Sequence, residues 1–193
     1  MAQAPNGQNF LQRRIAVMGY PCVGKSSITM RFVFGTFPDA YDTTIEDFHE
    51  KSHKFNGKNY KLKITDTAGQ QEYSLFPRSV TLDIDGYVMV YAINDRKSFE
   101  ILSTIYDKIV ENVGENIPIL IVGNKQDLQH SSRTVSQAEG QKLAQKWNAV
   151  FMESSAKDND NKDVIKIFDT ILRSIEISKG NISAEKKDGC TIA

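Results

Sequence analysis

Gly19-Tyr20-Pro21-Cys22-Val23-Gly24-Lys25-Ser26 spaces two glycines, a lysine and a hydroxyl in the pattern G-x-x-x-x-G-K-[ST], directly after the apolar Ile15-Ala16-Val17-Met18. A loop of this kind between strand and helix curls until successive backbone N–H groups converge on phosphate oxygens. The next helix, expected from Ser26 onward, adds the positive end of its dipole. Lys25 is then placed to neutralise outer phosphates, and the Ser26 hydroxyl to hold Mg²⁺. A nucleotide polyphosphate is the first ligand implied. The bland alternative, a Gly-rich turn with an ordinary surface lysine, is disfavoured by the strand-loop-helix context.

Two further clusters have the same placement, just past an apolar strand. Asp66-Thr67-Ala68-Gly69-Gln70 puts a carboxylate within reach of a magnesium shell and a glycine amide within reach of a terminal phosphate. Alone it is an ordinary turn sequence, because Asp and Gly are common turn formers. Asn124-Lys125-Gln126-Asp127 offers a carboxylate that can accept two parallel hydrogen bonds from the N1–H and 2-amino group of guanine, a donor pair adenine lacks. Sites built on such polar complementarity discriminate by about 10⁴ or more, since the wrong base leaves a buried group unpaired. The competing structural role is a capping Asn with a solvated Lys-Asp pair. Ser154-Ser155-Ala156-Lys157 comes after the last apolar segment and could complete the base pocket through a backbone N–H to the guanine oxygen.

The elements that must position these clusters read as alternating strands and helices. Residues 86–93 and 117–123 are near-continuous apolar runs, as strands buried on both faces should be. Residues 47–55 and 59–65 flank Asn56-Gly57, a two-residue hairpin signal that adds an antiparallel pair, and 150–153 is a short final strand. Helical spacing marks residues 97–113, 136–147 and 163–178, with Ser136 and Glu139 forming a capping box. The fold expected is α/β, a P-loop nucleotide-binding domain whose mixed, mostly parallel six-stranded sheet carries helices on both faces. Ligands in such sheets bind at the carboxyl ends of the parallel strands, where all of these clusters lie.

With 193 residues the chain fits one domain, spanning 13–178 between a flexible N-terminal segment (1–12) and a flexible tail (179–193). Lys plus Arg and Asp plus Glu both number 24, so the formal net charge is zero and no broad basic footprint for nucleic acid exists. The first twelve residues lack the apolar core of a secretory signal, and the apolar runs elsewhere are too short to span a bilayer, which places the chain on the cytosolic side. Cys22 and Cys190 suit neither a disulfide framework nor a metal site. His49, His53 and His130 form no ligand cluster, and Trp147 is expected to be core packing.

The four clusters, in this order, resemble the Ras-like small GTPases over essentially the whole of 13–178. Phe37-Pro38-Asp39-Ala40-Tyr41-Asp42-Thr43-Thr44-Ile45-Glu46-Asp47 is similar to the effector loop, switch I, and Gln70-Gln71-Glu72-Tyr73-Ser74 to switch II. Gly19-Tyr20, Glu72-Tyr73-Ser74-Leu75-Phe76-Pro77, Lys146-Trp147-Asn148-Ala149 and Glu153-Ser154-Ser155-Ala156-Lys157 resemble the Rheb branch. The resemblance implies GTP and GDP as ligands, bound by Cys22, Val23, Gly24, Lys25, Ser26, Ser27, Phe37, Tyr41, Thr44, Gly69, Asn124, Lys125, Asp127, Ser155, Ala156 and Lys157. Ser26 and Thr44 would ligate Mg²⁺ with Asp66 acting through water. Lys25 and the amides of Gly69 and Thr44 would hold the γ-phosphate, Phe37 would pack on guanine, and Gln70 would orient the attacking water. Thr44 and Gly69 touch something present only with GTP, so hydrolysis frees both loops. The implied partners are the TOR kinase complex as effector and the tuberous sclerosis GTPase-activating complex as the off-switch.

Two residues depart from the family pattern. Pro21 stands where a glycine or arginine is usual; it has no N–H and a φ fixed near about −65°. The phosphate-contacting amides begin at Cys22, so the cradle is expected to survive, but the ring lies near the γ-phosphate and slow intrinsic hydrolysis is expected. A largely GTP-loaded interaction module is the alternative this raises. Thr43 replaces the usual proline before the magnesium threonine, which should loosen switch I and sets Thr43 and Thr44 in competition as ligand. A P-loop metabolite kinase would require an arginine-rich acceptor lid, and no such segment is seen. The last four residues, Cys190-Thr191-Ile192-Ala193, fit C-a-a-X, predicting farnesylation of Cys190 by a farnesyltransferase. One lipid gives marginal binding, and Lys186 and Lys187 are offset by Glu185 and Asp188, so reversible association with the cytosolic face of endomembranes (lysosome, Golgi or ER) beside a cytosolic pool is expected.

Overall fold

The computed structural model describes residues 10–37, 44, 46–70, 77–157 and 161–183. Six strands form one sheet: β1 (Leu11–Gly19), β2 (Glu46–Phe55), β3 (Lys58–Thr67), β4 (Gly86–Ala92), β5 (Ile119–Asn124) and β6 (Val150–Glu153). Four helices connect them: α1 (Lys25–Phe34), α2 (Arg96–Val113), α3 (Gln137–Lys146) and α4 (Lys162–Ser178). The sheet order is β2-β3-β1-β4-β5-β6, antiparallel only between β2 and β3. Asn56 and Gly57 have φ of 47° and 74°, the paired positive values of a hairpin turn whose twist suits the strands it joins.

Alternation along the central strands divides the core between two faces. Ile15, Val17, Val88, Val90, Leu120 and Val122 pack under α1 and α4 through Ile28, Phe32, Phe168 and Leu172. Ala16, Met18, Met89, Tyr91 and Ile121 face α2 and α3 through Leu102, Ile105 and Ala144. A strand covered on both faces needs apolar residues at every position, which explains why β4 and β5 are buried throughout. Trp147 stacks on Tyr106 at 4.2 Å against the second of these cores.

Two expectations shift at the edges. β1 begins at Leu11, two residues inside the segment expected to be flexible, because its polar start pairs with β3 (Leu11 opposite Tyr60, Gln12 opposite Lys61) and backbone hydrogen bonding needs no apolar side chain. β5 starts at Ile119, so Ile117 and Pro118 precede it; proline has no N–H for a central ladder. The capping box forms as expected, with Ser136 Oγ accepting from the Glu139 N–H and Glu139 accepting from the Ser136 N–H at 2.9 Å.

Candidate functional site

The carboxyl ends of β1, β3, β5 and β6 bring the four sequence clusters to one end of the sheet. Gly19 closes β1, and the loop beyond it turns into α1 through Gly24, whose φ of 97° requires glycine; a Cβ there would lie 2.2 Å from the Asn124 Nδ2. Cys22 is exposed and also left-handed, with φ 61°. Lys125, at the matching place after β5, has φ 67°. Backbone of this kind costs on the order of 1–3 kcal/mol per residue and persists only where surrounding contacts impose it.

Lys25 folds back over its own loop, donating from Nζ to the carbonyls of Gly19 (3.1 Å) and Tyr20 (3.0 Å). Burial lowers its pKa to about 8, opposed by the Asp66 carboxylate. Its ammonium is thus a poorly hydrated charge held among weak acceptors, which phosphate oxygens can replace with stronger ones. The Ser26 and Thr44 hydroxyls meet at 2.8 Å, bringing the start of α1 against the one described residue of the 38–45 stretch. Asp66, 1% exposed, lies beside them, and its Oδ1 has no hydrogen-bond partner. Burial raises its pKa, with a hydrogen bond from Ser26 and the Lys25 charge acting in the opposite direction. Two hydroxyls in contact beside a buried carboxylate with a vacant oxygen are an oxygen donor set suited to Mg²⁺.

Gly69 and Gln70 turn inward. The Gln70 N–H donates to the Gly19 carbonyl at 2.9 Å, joining the segment after β3 to the phosphate loop. A Cβ on Gly69 would lie 2.4–2.6 Å from Cγ, N and Cα of Pro21, so glycine is required there and the Pro21 ring packs on its backbone. The Gln70 side chain is 5% exposed, donates to the Ala68 carbonyl at 3.3 Å, and leaves Oε1 buried without a partner. In this arrangement the amide is turned into the protein, beside the Gly69 backbone on which Pro21 packs.

At the base end, Asn124 is 2% exposed and acts as a brace: its Nδ2 donates to the Val23 carbonyl (2.7 Å), and its Oδ1 accepts from the Ala156 N–H (3.2 Å). One amide thus ties the phosphate loop to the loop after β6. The exposed carboxylate of Asp127 accepts from the Ser155 hydroxyl at 2.8 Å through Oδ1. The Gln126 N–H donates to the Ser154 carbonyl at 3.1 Å. Lys157 and Phe37 are exposed on the rim, Ser27 is half-buried at the start of α1, and Val23 is fully buried. Tyr41, Thr43, the positions 71–76 and Cys190 lie outside the described residues.

Two contributions were invisible in the sequence. Tyr20, whose carbonyl receives Lys25, has Lys97 of α2 5.4 Å from its ring centre. Arg133 grips Glu153 just before the Ser154-Ser155-Ala156 turn. Both depend on contacts between distant segments and carry no local signal. The described residues contain no group of three or more His, Cys, Asp and Glu suited to a metal; His53 bonds Asp169 of α4, and His49 packs on Phe34. No helix among them is long and apolar enough to cross a membrane.

The model of the Ras family matches residues 14–177. The chain is 51% identical over 178 residues to GTP-binding protein Rheb homolog 1 of Caenorhabditis elegans, covering 92% of this chain and 84% of that protein. It is 46% identical over 181 residues to GTP-binding protein Rheb of Homo sapiens, covering 93% and 96% respectively. It is 41% identical over 183 residues to the GTP-binding protein Rheb homolog of Dictyostelium discoideum, again covering 93% and 96%. A six-stranded sheet whose strand ends carry these four clusters, matched along nearly its whole length, places the chain in the Ras family, among the Rheb-like small GTPases.

Proposed function

We propose that the chain is a guanine-nucleotide switch that binds GTP and GDP with Mg²⁺, hydrolyses GTP, and presents different surfaces in the two states. The observation that carries this is the Asn124 brace. It holds the phosphate loop and the two base-facing turns as one rigid unit, so that a single ligand with a phosphate end and a guanine end fits across it. Lys25 and the loop amides from Cys22 to Ser27 take the phosphates. Asp127 takes the guanine N1–H and 2-amino group through its free lone pairs, and the Ala156 region faces the guanine oxygen. Phe37 and Tyr41 cover the nucleotide, while Lys125 and Lys157 flank it.

Ser26 and Thr44 hold Mg²⁺, and Asp66 supports it. The unpartnered Asp66 Oδ1 supports this assignment. Held by Ser26, Thr44 and Asp66, Mg²⁺ would supply positive charge against the phosphates during hydrolysis. The protein's share is positional: Lys25 stabilises negative charge, and the amides of Thr44 and Gly69 hold the terminal phosphate only while it is present. Gln70 orients water only if its side chain leaves the buried position it occupies here. The contact between Pro21 and Gly69 opposes that movement, which favours slow intrinsic hydrolysis and makes a persistently GTP-loaded form the second reading.

By likeness to the Rheb proteins, the GTP form activates the TOR kinase complex and a tuberous sclerosis-type GAP returns it to GDP. Cys190, farnesylated by a farnesyltransferase, attaches the chain reversibly to the cytosolic face of endomembranes, leaving a cytosolic pool. The deciding experiment is single-turnover phosphate release from the GTP-loaded protein, alone and with that GAP. Slow release that the GAP accelerates supports a cycling switch. Tight GTP binding with no acceleration overturns it in favour of the loaded module.

A further inference from the structure

Arg133 and Glu153 form a bidentate ion pair outside the four nucleotide-facing clusters. Arg133 Nη1 donates to Glu153 Oε1 at 2.7 Å and Nη2 to Oε2 at 2.8 Å, while Nη1 also reaches the Val135 carbonyl at 3.0 Å. The side chains are 22% and 4% exposed, so the carboxylate has almost no water to fall back on. Both partners are rooted in rigid structure. The N–H groups of Thr134 and Val135 donate to the Ile93 carbonyl beyond β4, at 2.8 and 3.0 Å, and Val135 is fully buried. Glu153 ends β6 opposite Gly123, and a Cβ on that glycine would lie 3.3 Å from Glu153 Cγ.

Glu153 leads directly into the second base-facing turn. The next N–H, of Ser154, donates to the Gly123 carbonyl at 3.0 Å; Ser155 then donates to Asp127 and Ala156 to Asn124. Arg133 lies six residues beyond Asp127 in the chain. The guanidinium therefore joins the segment leaving one base-facing turn to the residue entering the other. A fork on a carboxylate fixes orientation as well as distance, which a lysine cannot do.

We propose that Arg133 is a positioning residue for base recognition: by fixing Glu153 it holds Ser155 and Ala156 at the separation from Asp127 that a guanine edge requires, and so sets how fast guanine nucleotides leave. The proposal rests on the assignment of Asp127 to guanine, and its test separates the two. The full chain is loaded with fluorescent GDP or with the matching 2-aminopurine riboside diphosphate, which lacks the 6-oxygen and the N1–H, and release is timed for Arg133→Lys, Glu153→Gln, Asp127→Ala and Arg14→Met. Arg14 pairs with Asp83 at 2.9 Å toward the amino end of β1, with side chains 43% and 78% exposed, and serves as a control.

Arg133→Lys and Glu153→Gln are expected to speed GDP release about tenfold, and release of the 2-aminopurine nucleotide, which has no oxygen for the Ala156 side to hold, much less. Arg14→Met should change neither rate. Equal acceleration of both nucleotides by the two variants would reduce the pair to fold stability and overturn the proposal, as would no acceleration of either. If Asp127→Ala leaves the ratio of the two release rates unchanged, the guanine assignment itself fails. Melting at saturating GDP identifies a variant that has merely unfolded, and either Arg133→Lys or Glu153→Gln suffices for the decision.

Discussion

Replacing Asn124 with alanine removes a donor and an acceptor from a site that is 2% exposed, and each lost partner can be counted. The Val23 carbonyl loses its 2.7 Å bond, and the Ala156 N–H loses its 3.2 Å bond. A buried polar group left unsatisfied costs about 1–3 kcal/mol, so two give roughly 2–6 kcal/mol. Water entering the vacated space takes up part of this, because Gly24 and the loop around it border the nucleotide end of the domain. A loss of about 2–4 kcal/mol is expected, a large fraction of the roughly 5–15 kcal/mol that holds a typical domain folded. The assay is urea denaturation of Asn124→Ala and the parent, each with and without saturating GDP. The midpoint should fall in both conditions while the slope with denaturant stays constant, because the folded surface is unchanged. If Asn124 served only by touching the nucleotide, the difference would appear with GDP and vanish without it. A change below about 0.5 kcal/mol in the nucleotide-free protein would refute the bracing argument, since that is the ordinary scatter of surface substitutions.

The remaining expectations concern residues whose surroundings are equally specific. Gln70→Leu removes a buried acceptor that has no partner, so it should raise the melting temperature and change single-turnover hydrolysis by no more than a few fold; a hundredfold drop would show that the side chain swings out to act. Pro21→Gly frees Gly69 from the ring packed on it and should speed phosphate release from GTP-loaded protein, whereas an unchanged rate would clear the proline of any role in slow hydrolysis. Arg13→Met strands Glu176, fully buried and bonded to Arg13 at 2.5 Å, and should cost about 3–5 kcal/mol by thermal or urea unfolding. Hydrogen bonding to Arg96, then to Ser136, lowers the Glu139 pKa from 4.5 to about 2. A lowered pKa stabilises the fold above the unfolded value, and the contribution is lost as pH falls from about 4.5 through about 2, so Glu139→Gln should flatten that part of a melting-temperature profile while leaving neutral pH little changed.

The architecture was legible because its signals are local and periodic. Continuous apolar runs marked β4 and β5, Asn56-Gly57 marked the hairpin, and Ser136 with Glu139 marked the start of α3. The clusters were legible for a related reason, since a phosphate cradle needs glycines and a lysine at fixed offsets along one stretch of chain. The features that escaped depend on contacts across the sequence. The brace formed by Asn124 is one, since its amide reaches Val23, 101 positions away, and Ala156, 32 positions away. The inward turn of the Gln70 side chain is another, because its place in the sequence says nothing about the ring of Pro21 packing on Gly69. The start of β1 was missed because Leu11-Gln12-Arg13-Arg14 owes its extended form to pairing with β3, a partner identified only after the sheet is assembled.

The protein's own contacts at the phosphate end suggest how a ligand acts as a switch. Lys25 is held by two carbonyls, Ser26 and Thr44 hold each other, and Gly69 rests on Pro21. In the proposed function, ligands exchange these contacts for others and do not fill an inert gap. Phosphate would replace the carbonyls on Lys25, the Ser26 and Thr44 hydroxyls would give up their mutual bond to hold a cation, and a terminal phosphate would compete with Pro21 for the Gly69 backbone. Lys25 reaches a phosphate that GDP and GTP share as well as the terminal one, and the Ser26 side of the second exchange is open to both nucleotides, so these contribute mainly to affinity. Thr44 and Gly69 meet the terminal phosphate itself, so the difference in free energy between the two states is concentrated at those two residues. A ligand can shift a conformational equilibrium only by its differential affinity for the two conformations. Strengthening the contact between Pro21 and Gly69 therefore weakens the GTP-specific arrangement directly, while altering Lys25 weakens both nucleotides together. Comparing GDP and GTP affinities of Pro21→Gly with those of Lys25→Met separates the two effects. The proline variant should raise the preference for GTP over GDP, and the lysine variant should lower both affinities by similar factors. Equal responses from the two variants would place the switching contact elsewhere.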